Sequence, residues 1–266
     1  MNVTKYTNIF IGLILTILVI MACSIGNLST VRGSGNVVEE NRAVSGVTSV
    51  ELATLGNLTI EVGDTESLRI EAEDNLMEYL ETEVTSGNLR IKTRNNVNLH
   101  NTRPVNFHLT MTSLEAIKIS SSGDIQVPDL KAGRFSITIS SSGNLEMGDL
   151  EADSLTVKIS SSGDVTMGKL NTSALEVDIS SNGNLDIAGG QVKTQNITIS
   201  SSGNYSAQNL ESDEATVRLS SSGSATVWVQ DSLEANLSSS GNLRYRGNPT
   251  VNSNTSSSGD VIQIDE

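Results

Sequence analysis

Of the chain's 266 residues only 36% are apolar, and with three Phe, one Trp and four Tyr a bulky aromatic core is excluded; any interior must be filled by Leu, Ile and Val. The formal net charge of −14, interrupted by no basic run, repels phosphate backbones and argues against nucleic-acid binding. A single cysteine, Cys23, excludes an internal disulfide framework.

The chain opens with Met1 to Asn8, which carries one charge, Lys5, and continues into the apolar run Ile9 to Met21. That run is too short to span a bilayer comfortably and has the length of a signal-peptide core. It ends in Ile20-Met21-Ala22-Cys23, which resembles the bacterial lipobox, where small residues precede a cysteine that is lipidated and becomes the mature N-terminus. Met21 is an unusual choice within that pattern. Residues 1–22 are therefore expected to be a lipoprotein signal peptide, with Cys23 as the lipidation site; an uncleaved membrane helix with a buried thiol is the alternative. Lipidation would supply the two apolar anchors that stable attachment requires, and would place the protein outside the cytoplasm on a membrane, at the cell surface or the periplasmic face. Residues 23–42, polar and rich in Gly and Asn, read as a tether.

Residues 43–115 read as an irregular β region. Gly35-Asn36-Val37, Gly56-Asn57-Leu58 and Gly87-Asn88-Leu89 are followed by alternating apolar and polar residues, as irregular coils or a capping sheet would be. Between them, Leu76, Met77, Tyr79 and Leu80 have the spacing of a short helix over Asn75 to Thr82, placed to cover the apolar end of a stack.

From residue 116 to 266 the chain is a repeat. Ser-Ser-Ser-Gly or Ser-Ser-Asn-Gly occurs eight times, with its glycine at Gly123, Gly143, Gly163, Gly183, Gly203, Gly223, Gly241 and Gly259, spaced by 20 five times and then by 18 twice. Between glycines apolar and polar residues alternate, the signature of strands with one buried face. Leu155, Val157, Ile159, Val165, Met167 and Leu170 are expected inward, as are Phe135, Ile137, Ile139, Leu145, Met147 and Leu150 one period earlier. A lone coil buries too little to offset its ordering entropy, so the coils must stack into an all-β parallel solenoid of roughly 20-residue coils. At each corner the glycine is expected to supply a positive φ and the following Asx to bond back to backbone. The middle serine of each triplet, such as Ser141, Ser161 and Ser181, keeps the inward parity and predicts an internal hydroxyl ladder. The folded body is expected to be one unit over 43–266.

Val50-Glu-Leu52 before Gly56-Asn-Leu-Thr-Ile60, the stretch Ile70-Glu-Ala-Glu-Asp-Asn-Leu76, Ser113-Leu-Glu-Ala-Ile117 leading into the first Ser-Ser-Ser-Gly, and Tyr245-Arg-Gly-Asn-Pro-Thr-Val251 before the last repeat carry a further resemblance. With these features the chain from about Val44 onward resembles the putative auto-transporter adhesin, head GIN domain family of bacterial envelope proteins. The resemblance implies a right-handed β-helical fold and an adhesive or surface role, and supplies no catalytic residues. The chain departs from an autotransporter in showing no strands with the length and aromatic girdles of a translocating barrel.

Chemistry-bearing constellations are few. His100 and His108 lie eight apart with Pro104 between them and no Cys or tight carboxylate cluster beside them, which argues against a metal site. No Gly-x-Ser-x-Gly elbow is present. The corner column that includes Asp124, Asp164 and Asp260 could offer stacked oxygens to Ca²⁺, but Asn interleaves with Asp and calcium wants several carboxylates per ion. Glu146, Asp178 and Asp186 face outward as the acids of carbohydrate-cleaving β-helices do, yet they do not line up: Glu146 and Asp186 share a coil position with Thr166 between them. Trp228, standing where Gly148 and Gly168 stand in earlier coils, and Tyr245 are the candidate ligand contacts, whereas Tyr205 replaces an inward Leu or Val and reads as core. No cofactor is called for. The reading is a non-catalytic, lipid-anchored envelope protein, adhesin-like or a scaffold, touching the membrane through its lipid and a surface glycan or envelope protein through its faces. A carbohydrate-binding or carbohydrate-active β-helix, and an accessory or sensor subunit of an envelope complex, are the alternatives.

Overall fold

The computed structural model describes residues 29–256 and 258–264, so the signal peptide and Cys23 lie outside the described residues. In chain order it contains β1 (Ser29–Arg32), β2 (Val37–Arg42), β3 (Ser49–Ala53), β4 (Asn57–Val62), β5 (Ser67–Glu73), one helical turn α1 (Asp74–Met77), β6 (Leu80–Thr85), β7 (Asn88–Thr93), β8 (Val97–His100) and β9 (Asn106–Met111). The repeats follow as β10 (Ala116–Ile119), β11 (Asp124–Val127), β12 (Leu130–Ile139), β13 (Leu145–Met147), β14 (Leu150–Ile159), β15 (Val165–Ile179), β16 (Asn184–Ile199), β17 (Asn204–Leu219), β18 (Ser224–Leu237), β19 (Leu243–Arg246), β20 (Thr250–Thr255) and β21 (Val261–Gln263). All except the parallel pair β1–β8 join one continuous sheet, which winds as a β-solenoid of about seven turns.

Each coil bends at its glycine. Segments before the glycine stack in parallel as one column and segments after it as a second, with Ile117, Ile137, Val157, Val177 and Ile197 in one register and Ile125, Leu145, Val165, Leu185 and Tyr205 in another. The alternation expected from sequence holds: Leu155, Val157, Ile159, Val165, Met167 and Leu170 are each at most 1% exposed.

At the N-terminal end, spatial order departs from chain order. β3 and β4 form a coil lying between the coil of β7 and β9 on one side and that of β10 and β11 on the other. The chain thus lays down its second coil first, builds outward, then crosses back to continue the stack. Glu51 of β3 bridges the seam, accepting from the Ser120 hydroxyl (2.8 Å) and pairing with Lys118 (3.2 Å) and Arg90 (3.4 Å). Burial works against its charge, but these donors hold its carboxyl below the ordinary value. Beyond the outermost coil the sheet turns antiparallel, with β6 on β7, β5 on β9 and β2 on β5.

Four expectations are corrected. The repeat glycines do not take positive φ; among the glycines followed by Asn, Gly35, Gly56, Gly87 and Gly247 do. The repeat positions need glycine for space: a Cβ on Gly163 would overlap the carbonyl oxygen of Gly143 and stand 2.7 Å from Ile139 Cγ2. That glycine, not the middle serine, occupies the inward corner. Ser141, Ser161 and Ser181 are half-buried, and no hydroxyl-to-hydroxyl hydrogen bond joins them. What runs along the corner is backbone, the amides of Gly183 and Gly203 donating to the carbonyls of Ser161 and Ser181 (both 3.0 Å). The helix expected over Asn75 to Thr82 is a single turn, since Leu80 already starts a strand that pairs with β7. The expected tether is strand over Ser29–Arg32 and Val37–Arg42, because those segments find partners in β8 and β5.

Tyr205 lies in the core, 1% exposed, its hydroxyl donating to Gln195 Oε1 at 2.7 Å. Gln195 occupies the position of Leu175 one coil earlier, and small residues, Ala215 and Ala225, stand over the pair in the next coil. A buried phenol needs a polar partner, and the coil supplies one by exchanging a leucine for a glutamine.

The N-terminal strands are pinned by Glu73, which is fully buried. Burial opposes its charge, but the Thr102 hydroxyl (2.5 Å) and amide (2.8 Å), the Gly35 amide (2.6 Å) and the Arg103 amide (3.3 Å) outweigh it and bring its pKa down to about 2.

Two outcomes follow for the fold. Gly163→Ala should cost about 1 to 3 kcal/mol or more through overpacking, read by urea denaturation. Gly133→Ala, where the nearest atom to an added methyl is 3.7 Å away, should be tolerated. For Glu73, whose pKa falls from 4.5 to about 2 on folding, the contribution to stability is complete above about pH 5 and lost as pH falls towards 2. Melting temperatures of Glu73→Gln should therefore fall below wild type at neutral pH and converge on it in acid; parallel profiles would assign the acid sensitivity elsewhere.

Candidate functional site

In the second column Phe107, Leu58, Ile125, Leu145 and Val165 point inward and are at most 1% exposed, which fixes the neighbouring side chains outward in two rows. One row is Asn106, Asn57, Asp124, Asn144, Asp164, Asn184 and Asn204; the other is His108, Thr59, Gln126, Glu146, Thr166 and Asp186. The first is a hydrogen-bonded ladder. Asp124 Oδ1 accepts the amide (2.8 Å) and side-chain Nδ2 (3.0 Å) of Asn144, whose Oδ1 accepts the Asp164 amide (3.0 Å). Asp164 Oδ1 in turn accepts both nitrogens of Asn184 (2.8 Å each), and Asn184 Oδ1 accepts from Asn204.

Over the first five of these strands the face is concave. A groove of about 850 Å³ is lined by both rows from β9 to β15, and a second hollow of about 450 Å³, reaching to Pro128 and Gly148, shares Thr59, Gln126 and Glu146 with it. The lining side chains that meet solvent are amides, hydroxyls, carboxylates and one imidazole. Asp124, Glu146 and Asp164 give the groove negative charge. His108 Nε2 lies 3.5 Å from Glu71, and the nearby Arg69 is engaged by Glu71 (2.6 Å) and Glu39 (3.2 Å). Such a surface can accept hydrogen bonds along its length, from side chains whose strands are paired on both sides.

Asp124 and Asp164 both lie in this groove with Asn144 between them, whereas Asp260 sits at the far end of the column. Among the described residues no three His, Cys, Asp or Glu side chains converge as metal ligands would. Glu146 and Asp186 are separated by Thr166, and Asp178 belongs to the first column. His100 is exposed on β8, away from His108.

Trp228 does not take the place of Gly148 and Gly168. The shortened coil contracts before it, so it pairs with Glu211 across a register shift. Arg246 lies over its ring at 4.8 Å and is held by the Gln208 carbonyl and Asn209 Oδ1, both at 3.1 Å. Tyr245 pairs with inward Val227 and so has the opposite parity; the two aromatics form no common platform.

Sequence reasoning missed His108, Asn106 and Thr59 as neighbours of Asp124 and Glu146. The signal lay in Asn57-Leu-Thr and Asn106-Phe-His, which repeat the Asx-apolar-polar triplet of Asp124-Ile-Gln and Asn144-Leu-Glu.

The fold and its face define an all-β solenoid protein with an open polar groove along one side. The chain belongs to the family described as "Putative auto-transporter adhesin, head GIN domain", whose model matches residues 46–249. Solved structures share the fold. A putative lipid binding protein from Parabacteroides distasonis is 23% identical with a TM-score of 0.82, and a putative adhesin from the same organism 22% identical with a TM-score of 0.81. A putative adhesin from Parabacteroides merdae is 18% identical with a TM-score of 0.80; each alignment covers 89% of this chain and 100% of the other. No curated protein matches the sequence.

The ladder is testable at Asp164. Asp164→Asn keeps the oxygen that serves Asn184, as Asn144 does one coil earlier, and should leave the melting temperature unchanged. Asp164→Ala removes the acceptor of two donors and should cost about 1 kcal/mol or more; equal stability of the two variants would show the ladder to be energetically idle.

Proposed function

We propose that the protein is a lipid-anchored, extracytoplasmic binding module, adhesin-like and non-catalytic, that recognises a glycan in the groove of the second column. The observation that carries the reading is the groove itself: five neighbouring strands offer hydrogen-bonding side chains in two fixed rows on a rigid face. Binding sites need few moving parts when the scaffold pre-orders the contacts. Its polar lining suits a hydroxylated ligand better than an acyl chain, since the solenoid interior is filled by its own Leu, Ile and Val. Trp228, with Arg246 over its ring, and Tyr245 are secondary contact candidates at the other end of the body.

The anchor rests on Cys23, the chain's one cysteine, at the end of the apolar run Ile9 to Met21. The coils are taken as right-handed, the hand that crossovers between parallel strands nearly always adopt, and α1, with Leu76 and Met77 buried, as part of the cover over the N-terminal end.

The test is a glycan and envelope-component binding array on the full chain in detergent, beside Glu146→Ala. Saturable binding to a glycan, weakened in the variant, supports the groove; binding indifferent to Glu146 moves the site, and a negative array leaves an envelope scaffold. In the same cells Cys23→Ser should pass from the membrane to the soluble fraction, and full retention would remove the anchor.

A further inference from the structure

The hydrogen-bond pattern of the ladder narrows the ligand. Every Asn side-chain nitrogen between Asp124 and Asn204 donates down the stack, to the oxygen one coil earlier. One of the two N–H groups on each of these amides is therefore taken by the fold. In Asp124 and Asp164 only Oδ1 is used, by Asn144 and Asn184, and Oδ2 of each is left to the groove. Glu146 likewise receives Gln126 Nε2 on Oε2 (3.3 Å) and keeps Oε1. Three carboxylate oxygens, on Asp124, Glu146 and Asp164, thus face the groove without a protein donor, and their negative charge favours a ligand that brings positive donors.

Geometry selects among cationic ligands. The groove crosses five strands and runs along the solenoid axis. The peptide groups of those strands are paired with the coils on either side, so no strand edge is open for a peptide to extend. Recognition there is by side chains alone. Asp124 and Asp164 are two coils apart, about 10 Å at the usual strand spacing. An extended β-1,4-linked chain of hexopyranoses advances by close to one coil per sugar and turns each sugar about half a revolution from the last, so equivalent groups on one side recur every second sugar, at the two-coil separation of Asp124 and Asp164.

We propose, resting on the glycan-binding reading above, that the groove takes a linear glycan carrying free protonated amines, laid along the solenoid axis with amines on Asp124 and Asp164. The experiment measures binding of the full chain in detergent to a fully deacetylated β-1,4-glucosamine oligomer, its N-acetylated form and a lysine oligomer of matched charge. Each is tested on wild type and on Asp124→Asn/Asp164→Asn. That variant keeps the ladder oxygens and removes only two of the chain's 31 acidic residues. Non-specific attraction to a chain of net charge −14 would hardly notice the change.

The expected result is that the amine oligomer binds at least about fivefold tighter than its N-acetylated form, and that the double variant, with an unchanged melting temperature, erases the preference. Equal binding of the two oligomers overturns the amine assignment while leaving a glycan groove. Equal or tighter binding of the lysine oligomer overturns the glycan as occupant, and an undiminished preference in the variant overturns the site. Failure of both oligomers beside a positive array overturns this inference alone; failure beside a negative array removes the glycan reading with it.

Discussion

Each repeat glycine brings its α-carbon against the carbonyl oxygen of the glycine one coil earlier and, in most coils, the Cγ2 of an inward isoleucine, with no space for a methyl group. Parallel strands can pair only if successive coils sit one strand spacing apart, and a bend that keeps this spacing must let backbone approach backbone. The glycine provides that approach at the inner corner. Once the corner is fixed, the parity of every residue on either side follows, because side chains alternate about a strand whose register cannot slip without moving its apolar set into water.

That constraint separates the two faces of each strand into different chemical tasks. Inward positions are mostly Leu, Ile, Val and Met with a few Phe and Ala, and the polar intrusion is built as a unit: Tyr205 enters the core together with Gln195 and two alanines. Outward positions are free of packing, and there the corner Asx residues form a ladder in which each oxygen serves the next coil's amide. Interleaved Asn and Asp satisfy this geometry while keeping like charges two coils apart. A column of aspartates alone would place them at a single strand spacing, where their repulsion is strong.

The regular part of this architecture was legible because its cause is local. The period of 20, the alternation through Leu155, Val157 and Ile159, and the Asx corner can be read from any one repeat. The glycine's role was misjudged because both uses of glycine, left-handed backbone and close approach, leave the same letter in the sequence. Gly56 answers to the first description and Gly163 to the second. The placement of β3 between β7 and β10 was not legible at all. It depends on pairings such as Val50 with Ile117, far apart in the chain, and nothing near either residue specifies them. The groove residues from β9 and β4 were hidden for the same reason, since their neighbours in the site come from across that seam.

The groove coincides with a change in the strands beneath it. In the later coils β16 and β17 run unbroken for 16 residues through the corner after the second column. In the earlier ones β11 stops at Val127 and β13 at Met147, so that β12 and β14 begin anew. Pro128 has no amide to give to the ladder and ends β11, and Gly148 packs so closely over Asp129 that a side chain there would overlap it. The second hollow reaches to these breaks, touching Pro128 and Gly148. The groove thus lies beside the coils where the strand is broken. It lies against the out-of-order coils, which add His108, Asn106 and Thr59 to the rows supplied by the repeats. The groove therefore falls where two irregularities meet, the broken strands and the coils laid down out of chain order.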